Sequence, residues 1–222
     1  MNQAMEMNKN GICLNIGCWI DVAEGWENID ASPYVKISKI PLIGSRVLSA
    51  IGAPTFPKSI KHGDLLKGLN LQPESCELIF ASHVLEHLSL ADFDVALKNI
   101  YLYLQPGGIL RIIVPDLEKY VKTYLTQRSD NSLSSKAAHK FMHNSFLGNT
   151  GSRITIKERL KELFSNSRHQ WMWDEPSLTE ALTKHGFKNI RRCEYGDWSN
   201  PKFGTVERKD RHGDAICIEA IK

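Results

Sequence analysis

Four short clusters in this chain have residue types and spacing suited to chemistry. Asn15-Ile16-Gly17-Cys18-Trp19 closes a short apolar run. A glycine there lets the backbone turn sharply and approach a ligand with no Cβ in the way. Asp30 ends the run Trp26-Glu27-Asn28-Ile29-Asp30. A carboxylate in that position can accept hydrogen bonds from both hydroxyls of a ribose. Asp64 follows His62-Gly63 and precedes Leu65, where a simple turn is the competing reading. Ser82-His83-Val84-Leu85-Glu86-His87 follows the apolar run Cys76–Ala81. A neutral imidazole is the commonest general base near pH 7, so His83 is the first candidate to take a proton. Asp116, after Ile112–Val114, and His169, beside Trp171 and Trp173, are the next candidates. His139 and His143 share a helix face at the spacing of a zinc motif, but the glutamate of H-E-x-x-H is missing, so no metal site is expected.

These clusters need a scaffold, and the pattern between them supplies one. Ile12–Ile16, 26–30, Cys76–Ala81 and Ile109–Val114 have the length and apolar content of buried strands. Ser89-x-x-Asp92 resembles a helix start, and Phe93, Leu97, Ile100 and Leu104 then recur on one helix face. Pro106-Gly107-Gly108 ends that helix. Asp116 can cap a further helix with Leu117, Tyr120, Val121, Tyr124 and Leu125 facing a core. Ser177-x-x-Glu180 is read as another helix start, Gly186 as its stop, and 187–194 and 214–221 as the last strands. Strand alternating with helix predicts an α/β fold on a mostly parallel sheet. All four clusters then fall outside the carboxyl ends of strands, where such sheets bind ligands.

Two segments break the alternation: 36–61, apolar and basic with three prolines, and 129–172, with two helix candidates. Both are expected to be functional insertions in one domain spanning 1–222. The first is read as a flap near the ligand, with contact to an anionic membrane surface as the alternative. The second carries eight basic and three acidic side chains over 128–172 and is assigned to the acceptor side.

Composition narrows the class. The hydrophobic share of 42% and charged share of 24% exclude bulk disorder. No apolar run approaches the ~20 residues of a membrane span. The N-terminus lacks the apolar core of a secretory signal, and the five cysteines include no C-x-x-C. Reduced thiols and a cytoplasmic location are expected. The net charge of +3 hides a split, −2 over residues 1–127 and +5 over 128–222. No stripe of interleaved aromatics accompanies the basic half, so no nucleic-acid partner is expected. The absence of G-x-G-x-x-G argues against a nicotinamide dehydrogenase.

The order L-N-I-G-C, G-W-E-N-I-D-A-S-P, G-D-L, F-A-S-H-V-L-E-H-L, L-Q-P-G-G-I-L-R-I-I-V-P-D-L resembles a class I S-adenosylmethionine-dependent methyltransferase. The broad methyltransferase type 11 group and its small bacterial relatives are the nearest form. H-Q-W-M-W-D-E-P-S-L, H-G-F-K-N-I and A-I-C-I-E-A-I-K extend the resemblance through the tail, thinning over 36–61 and 129–166. It implies a Rossmann-like seven-stranded sheet with an antiparallel last strand and helices on both faces. It implies that Asn15, Gly17, Cys18 and Trp19 line the methionine end of S-adenosylmethionine. Asp30 would hold the ribose, Asp64 and Leu65 would face the adenine, and Ser82 and His83 would pass beneath the sulfonium. The reaction implied is methyl transfer to an oxygen or nitrogen of a small-molecule or sugar acceptor, read as anionic from the basic run. Two departures stand out. Gly17-Cys18-Trp19 replaces the usual Gly-x-Gly, so Trp19 either crowds the cofactor or stacks over it. Only eight residues separate Gly17 from Trp26, fewer than the ~10–12 of a full crossover. The rival readings are an inactive cofactor-binding scaffold, motivated by Trp19, and a methyltransferase acting on RNA or protein, motivated by the basic half.

Overall fold

A computed structural model describes residues 11–148 and 168–222. Seven strands form one sheet: β1 (Ile12–Ile16), β2 (Glu27–Asp30), β3 (Lys61–His62), β4 (Cys76–Ser82), β5 (Leu104–Pro115), β6 (Lys188–Cys193) and β7 (Ala215–Ile221). Their order is β3-β2-β1-β4-β5-β7-β6. The pairs β1–β2, β1–β4, β2–β3 and β4–β5 are parallel, and β7 runs antiparallel to both β5 and β6. The chain therefore moves outward from β1 to β3, then returns to β4 on the other side of β1. That reversal opens a crevice at the carboxyl ends of β1 and β4.

Alternation along the strands sorts their side chains onto two faces. Leu110, Ile112 and Val114 of β5 join Leu14, Ile79 and Ile218 in the larger core. Helix α3 (Leu90–Tyr103) closes that face, with Phe93, Leu97 and Ile100 fully buried. Each such side chain contributes ~1.5–3 kcal/mol by leaving water. Ser89 caps α3 as expected, its Oγ accepting from the Asp92 N–H at 3.1 Å. The opposite face holds Cys13, Leu78, Phe80, Ile113 and Cys217 against Trp26 and Phe203. Here the cover is largely loop. No helix joins β1 to β2, in line with the short Gly17–Trp26 spacing.

On that second face lies an ion network that the sequence did not announce. Arg111 of β5 is fully buried. Its Nε donates to Glu207 Oε1 and its Nη1 to Glu219 Oε1, both at 2.7 Å. The carbonyls of Asp197 and Glu194 accept two further bonds from it.

Other expectations shift. Helix α4 (Leu117–Ser129) is capped by Asp116, whose Oδ1 accepts from the Glu118 and Lys119 N–H groups. None of its residues is buried, and Tyr124 packs instead on Phe141 of α5 (Ala137–Asn144). The last long helix, α6 (Glu175–Lys184), starts three residues earlier than its Ser177 signature suggests. Asp174 is the cap and Ser177 its reciprocal partner, because the carboxylate accepts the Ser177 N–H and the Ser177 hydroxyl returns to the cap backbone. Within 33–61 the chain forms α1 (Pro33–Ser38) and α2 (Gly44–Ala50). The second helix candidate of 129–172 lies outside the described residues.

Candidate functional site

A cleft of about 810 Å³ opens at the reversal between β1 and β4. Asn15, Gly17, Cys18, Trp19, Asp30, Asp64, Leu65, Ser82, His83 and His169 all line it. Asp116 does not: its carboxylate caps α4 and pairs with Arg192 at 3.3 Å.

The turn after β1 is tightly made. Gly17 has φ +64°, and a Cβ on it would lie 2.3 Å from Val84 Cγ2. Trp19 follows with φ 50°, unusual for a residue that carries a Cβ. What holds it is a carboxylate: the Trp19 N–H donates to Asp30 Oδ2 at 2.8 Å, and the Ser32 N–H to Oδ1 at 2.7 Å. Asp30 thus binds together the ends of β1 and β2. Each oxygen retains capacity for another bond. Asn15 and Asn28 fix the neighbouring strands through an amide pair at 2.9 Å. The Trp19 ring, 40% exposed, lies edge-on to Phe56. Cys18 is no nucleophile, since burial and then the Asp30 charge push its thiol up to about 12.

At the far side of β2, Asp64 accepts the Leu66 N–H and pairs with Lys67 at 2.9 Å. Burial opposes its ionisation, but these hydrogen bonds outweigh burial and hold its carboxyl below the ordinary value. These residues fit a nucleoside with an attached amino acid: a turn closed against Val84, a strand-end carboxylate with lone pairs left, and an acidic rim over buried Leu65.

The other wall is built differently. His83 sits just past β4 with φ 55°. Its Nδ1 lies 3.2 Å from Ser82 Oγ. Burial first, then Arg211 and nearby imidazoles, push its ring down to about 4, so it is neutral near pH 7. His169 is likewise pushed down to about 4 by burial and then His87. Glu86 lies in the 3-10 turn Leu85–His87, fully buried, with its carboxyl pushed up to about 8 by burial. Arg208 and Arg211, from the loop between β6 and β7, complete the lining. From 129–172, Phe146 and His169 reach the cleft, whereas His139 and His143 are exposed on α5 outside it. Glu86, Arg208 and Arg211 carry no local signal: two lie in a charged run, and Glu86 reads as a turn acid.

A family profile for the methyltransferase domain matches residues 8–192. The chain belongs to that family. It is a class I S-adenosylmethionine-dependent methyltransferase, and S-adenosylmethionine is its cofactor. No curated relative matches the sequence. Among solved structures, a SAM-dependent methyltransferase from Archaeoglobus fulgidus is 16% identical, with a TM-score of 0.47 over 96% of this chain and 87% of that one. A possible histamine N-methyltransferase from Thermotoga maritima is 14% identical, with a TM-score of 0.45 over 97% and 84%. The 1,6-didemethyltoxoflavin-N1-methyltransferase of Burkholderia thailandensis is 12% identical, with a TM-score of 0.46 over 96% and 71%. Among the described residues, no helix of this methyltransferase is long and apolar enough to cross a membrane.

Proposed function

We propose that this methyltransferase acts on a hydroxyl oxygen of a small-molecule or sugar acceptor that carries an anionic group. The observation behind this reading is the polarity of the cleft. Asp30 and Asp64 line one end; His83, His169, Arg208 and Arg211 line the other. There Asp21 pairs with Arg208 at 3.0 Å and with Arg211 at 3.4 Å, and Asp210 holds the rest of the Arg208 fork. Arg211 is therefore the guanidinium with donors left for a ligand. An acidic wall suits a cationic cofactor, and a wall with guanidinium groups suits a carboxylate or phosphate. Of the basic run of 128–172, Arg153, Lys157, Arg159 and Lys161 lie outside the described residues; its described cleft residues are Phe146 and His169, and the described cleft guanidiniums come from the β6–β7 loop.

When bound, S-adenosylmethionine supplies an activated methyl group and its own leaving group. The chain's share is position and proton. Asp30 would hold the ribose hydroxyls, Asn15, Gly17, Cys18 and Trp19 the methionine end, and Asp64 with Leu65 the adenine. Alignment of an acceptor oxygen with the methyl carbon can supply several kcal/mol. A hydroxyl acceptor must also lose its proton. With Nδ1–H donating to Ser82 Oγ, His83 keeps the Nε2 lone pair for that proton. Asp116 is not retained in this role, because Arg192 and the α4 cap already engage it.

The test is a screen of hydroxylated metabolites with labelled S-adenosylmethionine, followed by kinetics of Arg211→Ala and His83→Gln. Arg211→Ala should raise the acceptor KM and leave S-adenosylhomocysteine affinity unchanged. His83→Gln should lower kcat. A best acceptor that is neutral or cationic, or an unchanged KM, would defeat the anionic reading.

A further inference from the structure

We propose that Glu86, His87 and His169 form a binding site for a divalent transition-metal ion of the zinc type within the cleft. The site lies beyond the residues assigned above to the cofactor, on the acceptor side.

Glu86 is fully buried, and neither of its carboxylate oxygens has a hydrogen-bond partner among the described residues. A buried polar group left that way costs ~1–3 kcal/mol, and more if charged. The groups that face it are not proton donors at bonding distance. His87 Nε2 lies 3.9 Å from Glu86 Oε1 and His169 Nε2 lies 3.8 Å from it. Both distances are too long for a hydrogen bond. The three donor atoms all lie within 4.8 Å of one another.

The protonation of His87 is set by its surroundings. Its Nδ1 lies 3.0 Å from the Arg168 carbonyl, which can only accept. The proton is therefore on Nδ1, and the neutral ring presents its Nε2 lone pair to Glu86. A metal-bound histidine characteristically donates its second nitrogen to a carbonyl in this way. The Ser145 backbone accepts weakly from the His169 ring, whose Nδ1 has no partner at ordinary hydrogen-bond geometry among the described residues. One carboxyl and two imidazoles thus converge, and a cation bound there would displace the proton that burial otherwise keeps on Glu86.

The segments that carry these groups are stitched together. The Gln170 N–H donates to the Glu86 carbonyl at 2.7 Å, and the Gln170 side chain to the His87 carbonyl at 2.7 Å. The His87 and His169 rings meet at 5.1 Å, and the Phe146 and His169 rings at 5.2 Å. Donors bound to zinc at ~2.0–2.2 Å lie ~3.0–3.5 Å apart, so closing the site takes side-chain shifts of less than ~1 Å. Two imidazoles and one carboxylate favour zinc-type ions over magnesium or calcium, which prefer all-oxygen shells. Three protein ligands leave at least one position open to the cleft, as in catalytic sites. On the methyltransferase reading, that position faces the acceptor hydroxyl and would favour its ionised form.

The test uses the full chain, stripped with EDTA and titrated with cobalt chloride, then with zinc chloride in competition. Expected are a visible ligand-field absorbance that saturates at one equivalent, its loss on adding zinc, and a raised Tm with zinc. Glu86→Gln and His169→Ala should each weaken cobalt binding by at least about tenfold. His143→Ala, which removes half of the exposed pair on α5, should leave it unchanged. S-adenosylhomocysteine titration of the same samples shows that the variants are folded and tests cofactor binding separately. No saturable absorbance in protein that binds S-adenosylhomocysteine would overturn the proposal. So would absorbance lost in His143→Ala and kept in Glu86→Gln.

Discussion

The Trp19 indole meets the Phe56 ring edge-on, with centroids 5.1 Å apart and an interplanar angle of 80°. Trp19 belongs to the turn that follows β1, and Phe56 to the 36–61 insertion. Phe56, Cys18, Val35 and Ile60 form a small core of their own beneath this contact. The bulky residue in place of the family's second glycine thus has a defined neighbour. Ordering of the turn and seating of the insertion are linked through it.

From this contact, the insertion should respond to ligand. Protease nicking within 36–61 is expected to slow when S-adenosylhomocysteine is added to the wild-type protein. In Trp19→Ala the protection should shrink. Equal cleavage rates with and without ligand would show that the segment is not a flap.

Asp30→Ala should weaken S-adenosylhomocysteine binding by at least about tenfold, since hydrogen bonds to a charged group contribute ~1.5–3 kcal/mol. Part of that loss arises in the protein itself, because the Trp19 and Ser32 N–H groups lose their acceptor. Asp30→Asn keeps an acceptor and should fall between. Titration calorimetry on all three proteins gives the order; an affinity equal to wild type in folded Asp30→Ala would remove this residue from the site.

Gly17→Ala places a methyl 2.3 Å from Val84 Cγ2 at a backbone angle of φ +64°. Two penalties follow, one steric and one conformational. Val84→Ala in the same chain should relieve the first and leave the second, which costs ~1 kcal/mol. Denaturant melts of the single and double variants should therefore show partial rescue, and a full rescue would mean that the left-handed conformation carries no strain.

Arg111→Met removes the buried guanidinium that pairs with both Glu207 and Glu219. A buried ion pair broken on one side typically costs ~3–5 kcal/mol, so a loss of that size is expected in urea melts. The same network sets an acid limit. Burial opposes ionisation of Glu219, but Ser199, Arg191 and Arg111 together hold its carboxyl below the ordinary 4.5. A group with a lowered folded pKa stabilises above its unfolded value and loses that contribution as pH falls through the folded one. Stability should accordingly decline as pH drops below about 4.5, and Glu219→Gln, already destabilised, should decline less steeply over that window.

How far the sequence reached depends on the range of the interactions involved. Strands β1, β2, β4 and β7 and helix α3 were legible because their apolar periods and the Ser89 cap are local. The cleft residues at strand ends followed from topology. Glu86 was not legible, because its burial depends on Gln170 and Trp171 reaching the carbonyl of Glu86 from more than eighty positions away. Arg111 reads as the polar step of a strand; only the loop that brings Glu207 over the sheet makes it interior. The Ser177 signature puts the start of α6 three residues late because Asp174 and Ser177 are both good caps, and the two share the work. The apolar face of α4 was expected in the core and is not there; Val121 and Leu125 remain exposed among the described residues.

The missing helix between β1 and β2 has a consequence for how this enzyme can change. Trp26, Phe80 and Phe203 fill the space over the sheet, and the Trp26 indole N–H donates to Thr205 Oγ1 at 2.9 Å. The loop that brings Arg208 and Arg211 to the cleft is therefore also a structural lid on the hydrophobic interior. Here a wall of the cleft and the cover of the interior share one piece of chain. Substrate range in this lineage should then drift slowly at 201–211, and a transplanted loop should function only if it brings its own Phe203 and Thr205.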